Sequence, residues 1–125
     1  MSKKATILIV DDEDSTLQLL EEALVGAGYG VHTDGNGAEA WKLLETGTVK
    51  DVALLLTDLV MPKMDGMELA RKVAKAYPDM RILFISGYAD DIVYENKDIE
   101  GVASFLPKPF NVEFLRKKVK DVLGR

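Results

Sequence analysis

The sequence predicts an α/β fold, a three-layer (βα)5 sandwich built on a parallel five-stranded sheet. Short apolar runs alternate with segments of helical period along the whole chain. Four runs are rich in Ile, Leu, Val and Phe without strict alternation, which indicates strands buried on both faces: residues 5–10, 52–57, 82–86 and 102–106. A fifth run at 29–33 is weaker and more polar, as is typical of an edge strand. Parallel strands require right-handed crossovers, and we therefore expect helices on both faces of the sheet.

Each helical segment carries a line of apolar residues spaced three or four positions apart. The lines are Leu17, Leu20, Leu24 and Ala27 in the first segment, Ala38, Trp41 and Leu44 in the second, Leu69 and Val73 in the third, and Leu115, Val119 and Val122 in the last. Two pairs resemble capping boxes, Asn36 with Glu39 and Asp65 with Glu68, and the last helix should begin near Asn111. Its basic residues are expected to face water: Arg116, Lys117, Lys118 and Lys120.

Length and composition limit the classes of protein that the chain can represent. Its 125 residues, 47% apolar and 30% charged, predict a single globular domain over 1–125 with a core at about 5–123. The net charge of −5 argues against direct binding of nucleic acid. The apolar runs fall far short of the roughly 20 residues that a membrane span requires, so we expect no membrane insertion. Without cysteine or a signal-peptide pattern, the expected location is the cytoplasm.

Charged residues stand where several of the predicted strands end. Asp11 and Asp12 follow ATILIV, Asp58 follows VALLLT, and Lys108 comes just after VASFLP. The carboxyl ends of parallel strands share one edge of a sheet, so these groups should converge. Clustered carboxylates repel one another and need a cation, and an oxygen-only ligand set favours a hard one such as Mg²⁺. The sequence therefore predicts a functional site at this edge.

Simpler interpretations exist for the same residues when they are taken singly. Glu13 and Asp14 are equally compatible with capping the following helix, because carboxylates favour a helix N-terminus. Lys108 could form a plain ion pair with Asp58. Ser86, at the end of the run at 82–86, offers a hydroxyl donor to a ligand or ends its strand in an ordinary turn. The convergence of so many polar groups on one edge favours a site over these separate explanations.

Four stretches carry a resemblance to a known family: ILIVDDED, LLLTDLVMPKMDGMEL, ILFISGYAD and FLPKPF. In this order and spacing they resemble the phosphoacceptor receiver domain of two-component response regulators, over nearly the entire chain. The resemblance implies a flavodoxin-like fold with strand order 2-1-3-4-5, in which the run at 29–33 is an edge strand. FISGYAD is also similar to the receivers of hybrid histidine kinases.

The resemblance implies a role for each residue of the predicted site. Asp58 would accept a phosphoryl group from a phosphohistidine on a sensor histidine kinase or phosphotransfer protein. Asp12, Asp58 and the backbone carbonyl of Val60 would coordinate Mg²⁺, with Asp11 acting mainly through bound water. Lys108 would pair with the phosphoryl oxygens, and Ser86 would hydrogen-bond them.

A switch is also implied by the resemblance. Phe105 matches an aromatic position three residues before Lys108, and Pro109 matches a proline that follows a cis peptide bond. Phosphorylation would draw Ser86 inward, and Phe105 would fill the space that it leaves. The surface around 86–110 would then control a downstream effector or an attached output domain. The domain would assist its own phosphotransfer and slow dephosphorylation without being an enzyme in the usual sense.

Two other classes of protein fit parts of the pattern. A small Mg²⁺-dependent aspartyl phosphohydrolase of the haloacid dehalogenase type also uses an aspartyl nucleophile. That class needs a second aspartate two residues later, where this chain has Val60. A flavodoxin needs a loop rich in Ser, Thr and Gly after the first strand, whereas residues 11–14 are all acidic and would repel a flavin phosphate.

Overall fold

Strands and helices alternate along the chain in the computed structural model, which describes residues 5–58, 66–85, 103–107 and 110–124. The strands are β1 (Thr6–Val10), β2 (Gly30–Asp34), β3 (Val52–Asp58), β4 (Arg81–Ile85) and β5 (Ala103–Leu106). The helices of the described residues are α1 (Asp14–Gly26), α2 (Gly37–Glu45), α3 (Gly66–Ala76) and α4 (Val112–Leu123). All five predicted strands are therefore present, with bounds that differ from the apolar runs by about one residue.

The strands form one parallel sheet in the order β2-β1-β3-β4-β5. The weak run at 29–33 becomes β2 and lies at one edge, as predicted. The three central strands are almost fully buried, which explains their continuous apolar character. The fold is the predicted flavodoxin-like sandwich, and the implied strand order is confirmed.

Alternation along the strands divides the core into two layers. One layer packs strand residues such as Ile9, Leu54 and Leu56 with Leu20 of α1 and Leu115 of α4. The other layer lies against α2 and α3 on the opposite face of the sheet. It includes the buried residues Leu8, Val10, Leu55, Phe84, Ala40, Leu44, Leu69 and Val73. The central strands β1, β3 and β4 therefore contribute side chains to both layers, and a shift of one residue in register would exchange them.

Asparagine side chains begin two of the helices. Asn36 Oδ1 accepts a hydrogen bond from the backbone N–H of Glu39 at 2.8 Å, which confirms the helix start that the capping-box pattern predicts. Asn111 Oδ1 accepts one from Phe114 N–H at 2.7 Å and fixes the start of α4. Asp65, the predicted cap of α3, lies outside the described residues.

The side of α2 that faces the sheet differs in part from the predicted line of Ala38, Trp41 and Leu44. Ala40 and Leu44 are buried, whereas Ala38 and Trp41 are only half-buried. The small side chain of Ala40 lets the helix backbone approach the sheet. Trp41 lies at the side, with its ring edge-on to that of Tyr77, the residue after α3, at 6.2 Å between centroids.

Two basic residues of α4 do not simply face water, as the sequence predicts, but also contact the rest of the protein. Arg116 is exposed, but its Nε also donates a hydrogen bond to the backbone carbonyl of Ala23 in α1, at 2.9 Å. Lys118 is half-buried rather than fully in water. Arg116 therefore joins the two helices that cover the same face of the sheet.

Candidate functional site

Three aspartates meet at the carboxyl-terminal edge of the sheet. Asp11 and Asp12 follow β1, and Asp58 is the last residue of β3, the strand paired with β1. One carboxylate oxygen from each of the three lies within 4.8 Å of the others. Asp11 is buried, Asp58 half-buried and Asp12 exposed, so the cluster runs from the core to the surface. The convergence that the sequence predicts for these acids is confirmed.

Backbone and side-chain hydrogen bonds hold Asp11 in place at the end of β1. Its N–H donates to the carbonyl of Asp34 on β2 at 3.1 Å, which continues the sheet by one residue. Its Oδ1 accepts from the N–H of Glu13 at 2.9 Å, which turns the chain from β1 toward α1. Asp11 therefore shapes the loop that carries Asp12.

The donor set of this cluster fits a hard divalent cation. Three carboxylates bring up to three negative charges close together, and each gains from a cation placed between them. Oxygen ligands are those that Mg²⁺ prefers, and sites of this kind combine one or two carboxylates with water and phosphate oxygens. The exposure of Asp12 and the half-burial of Asp58 leave one side of the cluster accessible from solvent.

The other predicted site residues divide into two groups. Ser86, Lys108 and Val60, together with Pro109, lie outside the described residues, so the roles proposed for them stay predictions. Phe105 lies on the edge strand β5, half-buried, and its ring stacks on that of Phe84 at 5.5 Å with an interplanar angle of 26°.

The two remaining acids of the DDED stretch lie at the start of α1. Glu13 occupies the N-cap position, and its carboxylate accepts a hydrogen bond from the Thr16 hydroxyl. Asp14 lies in the first turn, where a negative charge interacts favourably with the helix dipole. A role at the helix terminus therefore accounts for these two residues, and the acidic cluster is formed by Asp11, Asp12 and Asp58 instead.

The acidic cluster lies at the point where the strand order of the sheet reverses. From β1 the chain first adds β2 on one side, and β3 then follows on the other side. Ligands of open parallel sheets bind outside the carboxyl ends of the strands at this switch point. The fold and the site together define a doubly wound α/β protein with an acidic, metal-compatible site between its first and third strands.

Comparison with known proteins identifies the family. The family model described as the response regulator receiver domain matches residues 7–120. The chain belongs to this family, and it is a phosphoacceptor signalling domain. The resemblance carried by the four sequence stretches is thereby confirmed. No helix among the described parts of the chain has the length and apolar character needed to cross a bilayer.

Two relatives from Brucella abortus (strain 2308) differ in how much of their own length the chain spans. The chain is 39% identical over 125 residues to the sensor kinase CckA. This match covers 100% of this chain and only 13% of CckA. It is 38% identical over 117 residues to the response regulator receiver protein CpdR, covering 94% of this chain and 95% of CpdR.

Among solved structures, the response regulator TrrA from Thermotoga maritima was determined in complex with Mg²⁺ and BeF. It superposes with a TM-score of 0.81 at 30% identity, covering 95% of this chain and 99% of that chain.

Proposed function

We propose that Asp58 is the residue that accepts the phosphoryl group. The observation that carries this proposal is the grouping of three carboxylates within 4.8 Å at the switch point of the sheet. Among the three, Asp11 is buried and already accepts a hydrogen bond from Glu13 N–H, whereas Asp12 is exposed. Asp58 is half-buried, so a phosphoryl donor can reach its carboxylate while neighbouring groups shield the reaction from bulk water. These differences favour Asp58 as the nucleophile and the other two as charge-positioning groups.

In this scheme, Asp12, Asp58 and the backbone carbonyl of Val60 would hold Mg²⁺, with Asp11 acting mainly through bound water. When bound, Mg²⁺ supplies the positive charge that lets one anion approach another and offsets charge on the phosphoryl oxygens. Asp58 attacks phosphorus through a carboxylate oxygen. The new O–P bond forms as the P–N bond to the donor histidine breaks, and the imidazole leaves. Lys108 would pair with the phosphoryl oxygens, and Ser86 would hydrogen-bond them after transfer.

The proposed output is a change at the surface around 86–110. Phosphorylation replaces the single negative charge of Asp58 by about two and adds strong acceptor oxygens. The position of Phe105 supports its proposed role as the switch residue, because it is half-buried at a sheet edge and stacks on the core residue Phe84. Its ring therefore has fewer packing contacts to lose in a change of position than a fully buried ring would have. We propose that the domain assists its own phosphotransfer and slow dephosphorylation.

The proposed partners are a sensor histidine kinase or phosphotransfer protein upstream, and an effector or attached output domain downstream. The matches to CckA and CpdR support two arrangements for such a receiver. One is a segment of a longer sensor kinase, and the other is a regulator consisting of little besides the receiver.

The direct test uses acetyl phosphate and Mg²⁺ with intact-mass spectrometry. We expect one added phosphoryl group in the wild type and none in Asp58→Asn or in the presence of EDTA. Asp34→Asn is the matched control, because Asp34 also ends a strand at this edge and is half-buried. It should retain full uptake.

Two results would count against the proposal. Uptake by Asp58→Asn would place the acceptor elsewhere. Continuous release of inorganic phosphate, with no group retained on the protein, would favour the aspartyl phosphohydrolase instead.

A further inference from the structure

Thr57 is one of only two polar side chains that are almost fully buried among the described residues, the other being Asp11. It immediately precedes Asp58 and follows the apolar residues of β3. Its β-branched shape suits a strand, but valine would provide the same shape without a hydroxyl to satisfy. Burial of a hydroxyl is unfavourable unless the group is hydrogen-bonded, so its partner identifies what the residue does.

That partner is the backbone carbonyl of the proposed phosphoacceptor. Thr57 Oγ1 donates a hydrogen bond to the carbonyl oxygen of Asp58 at 2.9 Å. The bond closes a ring through the Thr57 side chain and the backbone of Asp58, and so restrains both the φ and the ψ angle of Asp58. The φ angle sets the direction of its Cα–Cβ bond. Asp58 is the last residue of β3 and pairs with Ile85, the last residue of β4, so regular strand pairing restrains its backbone from one side only.

The surroundings of Thr57 make it a rigid anchor. In the sheet register it lies between Val10 of β1 and Phe84 of β4, both fully buried. Phe84 in turn pairs with Phe105, whose ring stacks on it. Close packing on both sides restricts the Thr57 rotamer, so the direction of its hydroxyl is fixed by the core.

We infer that Thr57 is a positioning residue for phosphoryl transfer, which it serves by fixing the backbone of Asp58 through its hydroxyl. The inference rests on the proposed role of Asp58. The Asp58 carboxylate must face the metal cluster and the incoming phosphorus at once. Small errors in such an orientation lower the rate of transfer steeply, because positioning and charge placement supply most of the catalysis. A free backbone at Asp58 would let the carboxylate sample unproductive directions.

The kinetic test compares Thr57→Val with Thr57→Ser. Thr57→Val keeps the shape and removes the hydroxyl, and we expect its maximal rate of uptake from acetyl phosphate at saturating Mg²⁺ to fall about five- to tenfold. Thr57→Ser keeps the hydroxyl and should recover most of that rate, although it loses a buried methyl group and some stability. If Thr57 had a purely structural role, Thr57→Ser, which loses the buried methyl group, would take up the phosphoryl group more slowly than Thr57→Val.

Two control variants separate positioning from general damage. Thr33→Val removes a hydroxyl from the edge strand β2 and should leave the rate unchanged. Leu44→Ala destabilises the same core layer from the far end of α2, and its folded fraction should react at the wild-type rate. If Thr57→Val reacted as fast as the wild type, or if Leu44→Ala slowed as much, the inference would be wrong.

A spectroscopic test reports on the hydrogen bond itself and needs no activity. Asp58-Leu59 is the single Asp-Leu step in the sequence. Labelling Asp at its carbonyl carbon and Leu at its nitrogen therefore gives one backbone correlation, from the Asp58 carbonyl. That carbon resonance should move upfield in Thr57→Val and stay near its wild-type position in Thr57→Ser. An unchanged resonance in Thr57→Val would overturn the inference.

The two ideas fail in distinguishable ways. If wild-type protein takes up no phosphoryl group on Asp58, the proposed function fails and the carbonyl resonance still reports whether the bond exists. If the wild type reacts but Thr57→Val matches it in rate, only the positioning role is lost.

Discussion

The two ends of the sheet are built for different purposes. At the carboxyl-terminal edge, β1 and β3 lead into Asp11, Asp12 and Asp58, whose carboxylates lie within 4.8 Å of one another. At the amino-terminal edge, the loops before β3 and β4 surround an open cavity of about 770 Å³. Its floor is formed by buried apolar side chains, including those of Leu44 and Met80.

The comparison shows that the fold places its electrostatic repulsion at one edge of the sheet, the edge that carries the candidate site. Like charges brought together at one edge weaken the folded state until a cation offsets them. The opposite edge carries no such cluster among the described residues, and its buried residues contribute packing. Substitutions at the carboxyl-terminal edge should therefore change chemistry more than stability, and those at the amino-terminal edge should do the reverse.

The largest expected effect is on stability, from Leu44→Ala at the amino-terminal edge. Leu44 is 6% exposed and packs in the core layer between α2 and the sheet. Its truncation should lower the free energy of unfolding by about 2–5 kcal/mol, measured by urea denaturation. The affinity of the folded protein for Mg²⁺ should be unchanged in an NMR titration. A weakened affinity would mean that the two edges are coupled.

The next effect in size is on metal binding, from Asp12→Asn at the carboxyl-terminal edge. Removal of one charged ligand should weaken the affinity for Mg²⁺ about 10- to 100-fold. In metal-free buffer the same change should raise the free energy of unfolding, because it relieves repulsion from the neighbouring acids.

Mg²⁺ should raise the melting temperature of the wild type and have much less effect on this variant, since a ligand stabilises in proportion to its occupancy. Asp34→Asn removes a carboxylate charge at the same edge and should behave like the wild type. An Asp12→Asn protein that bound Mg²⁺ as tightly as the wild type would exclude the cluster as the metal site.

The grouping of acids at the carboxyl-terminal edge could be predicted from the sequence. Continuous apolar runs specify buried parallel strands, and an acid directly after such a run must emerge at the edge, so Asp11, Asp12 and Asp58 could be grouped without coordinates. The side of α2 that faces the sheet could not be predicted, because Ala38 and Ala40 each have an apolar partner at helical spacing. The contact of Trp41 with Tyr77, the residue after α3, belongs to the tertiary fold and is not visible in the local pattern.

Hydrogen bonds that depend on the tertiary fold also could not be predicted from the sequence. The Thr57 hydroxyl has several backbone groups within reach in an unfolded chain, and only the end of β3 selects the Asp58 carbonyl. Arg116 and Ala23 are 93 positions apart in the sequence, and no local pattern indicates their contact.

The smallest expected effect comes from Asp51→Gly, back at the amino-terminal edge. Asp51 is the one residue other than glycine with a positive φ among the described residues, at 56°, and it lies in the loop that leads into β3. This conformation costs an L-residue about 1–2 kcal/mol, less for aspartate than for most others. Glycine removes that cost but adds about 0.4–1 kcal/mol of chain entropy to the unfolded state. The net result should be a gain of about 0.5 kcal/mol in unfolding free energy.

Asp79→Gly is the matched control for this small change. Asp79 lines the same cavity, and its φ is not positive, so glycine there relieves nothing. It should lower the free energy of unfolding by about 0.4–1 kcal/mol through the unfolded state alone. The two variants remove the same charge from the same edge, so the difference between their urea midpoints measures the cost of the backbone conformation at Asp51. Equal midpoints would show that the Asp51 side chain offsets this cost, so that the conformation of Asp51 adds no strain to the amino-terminal edge.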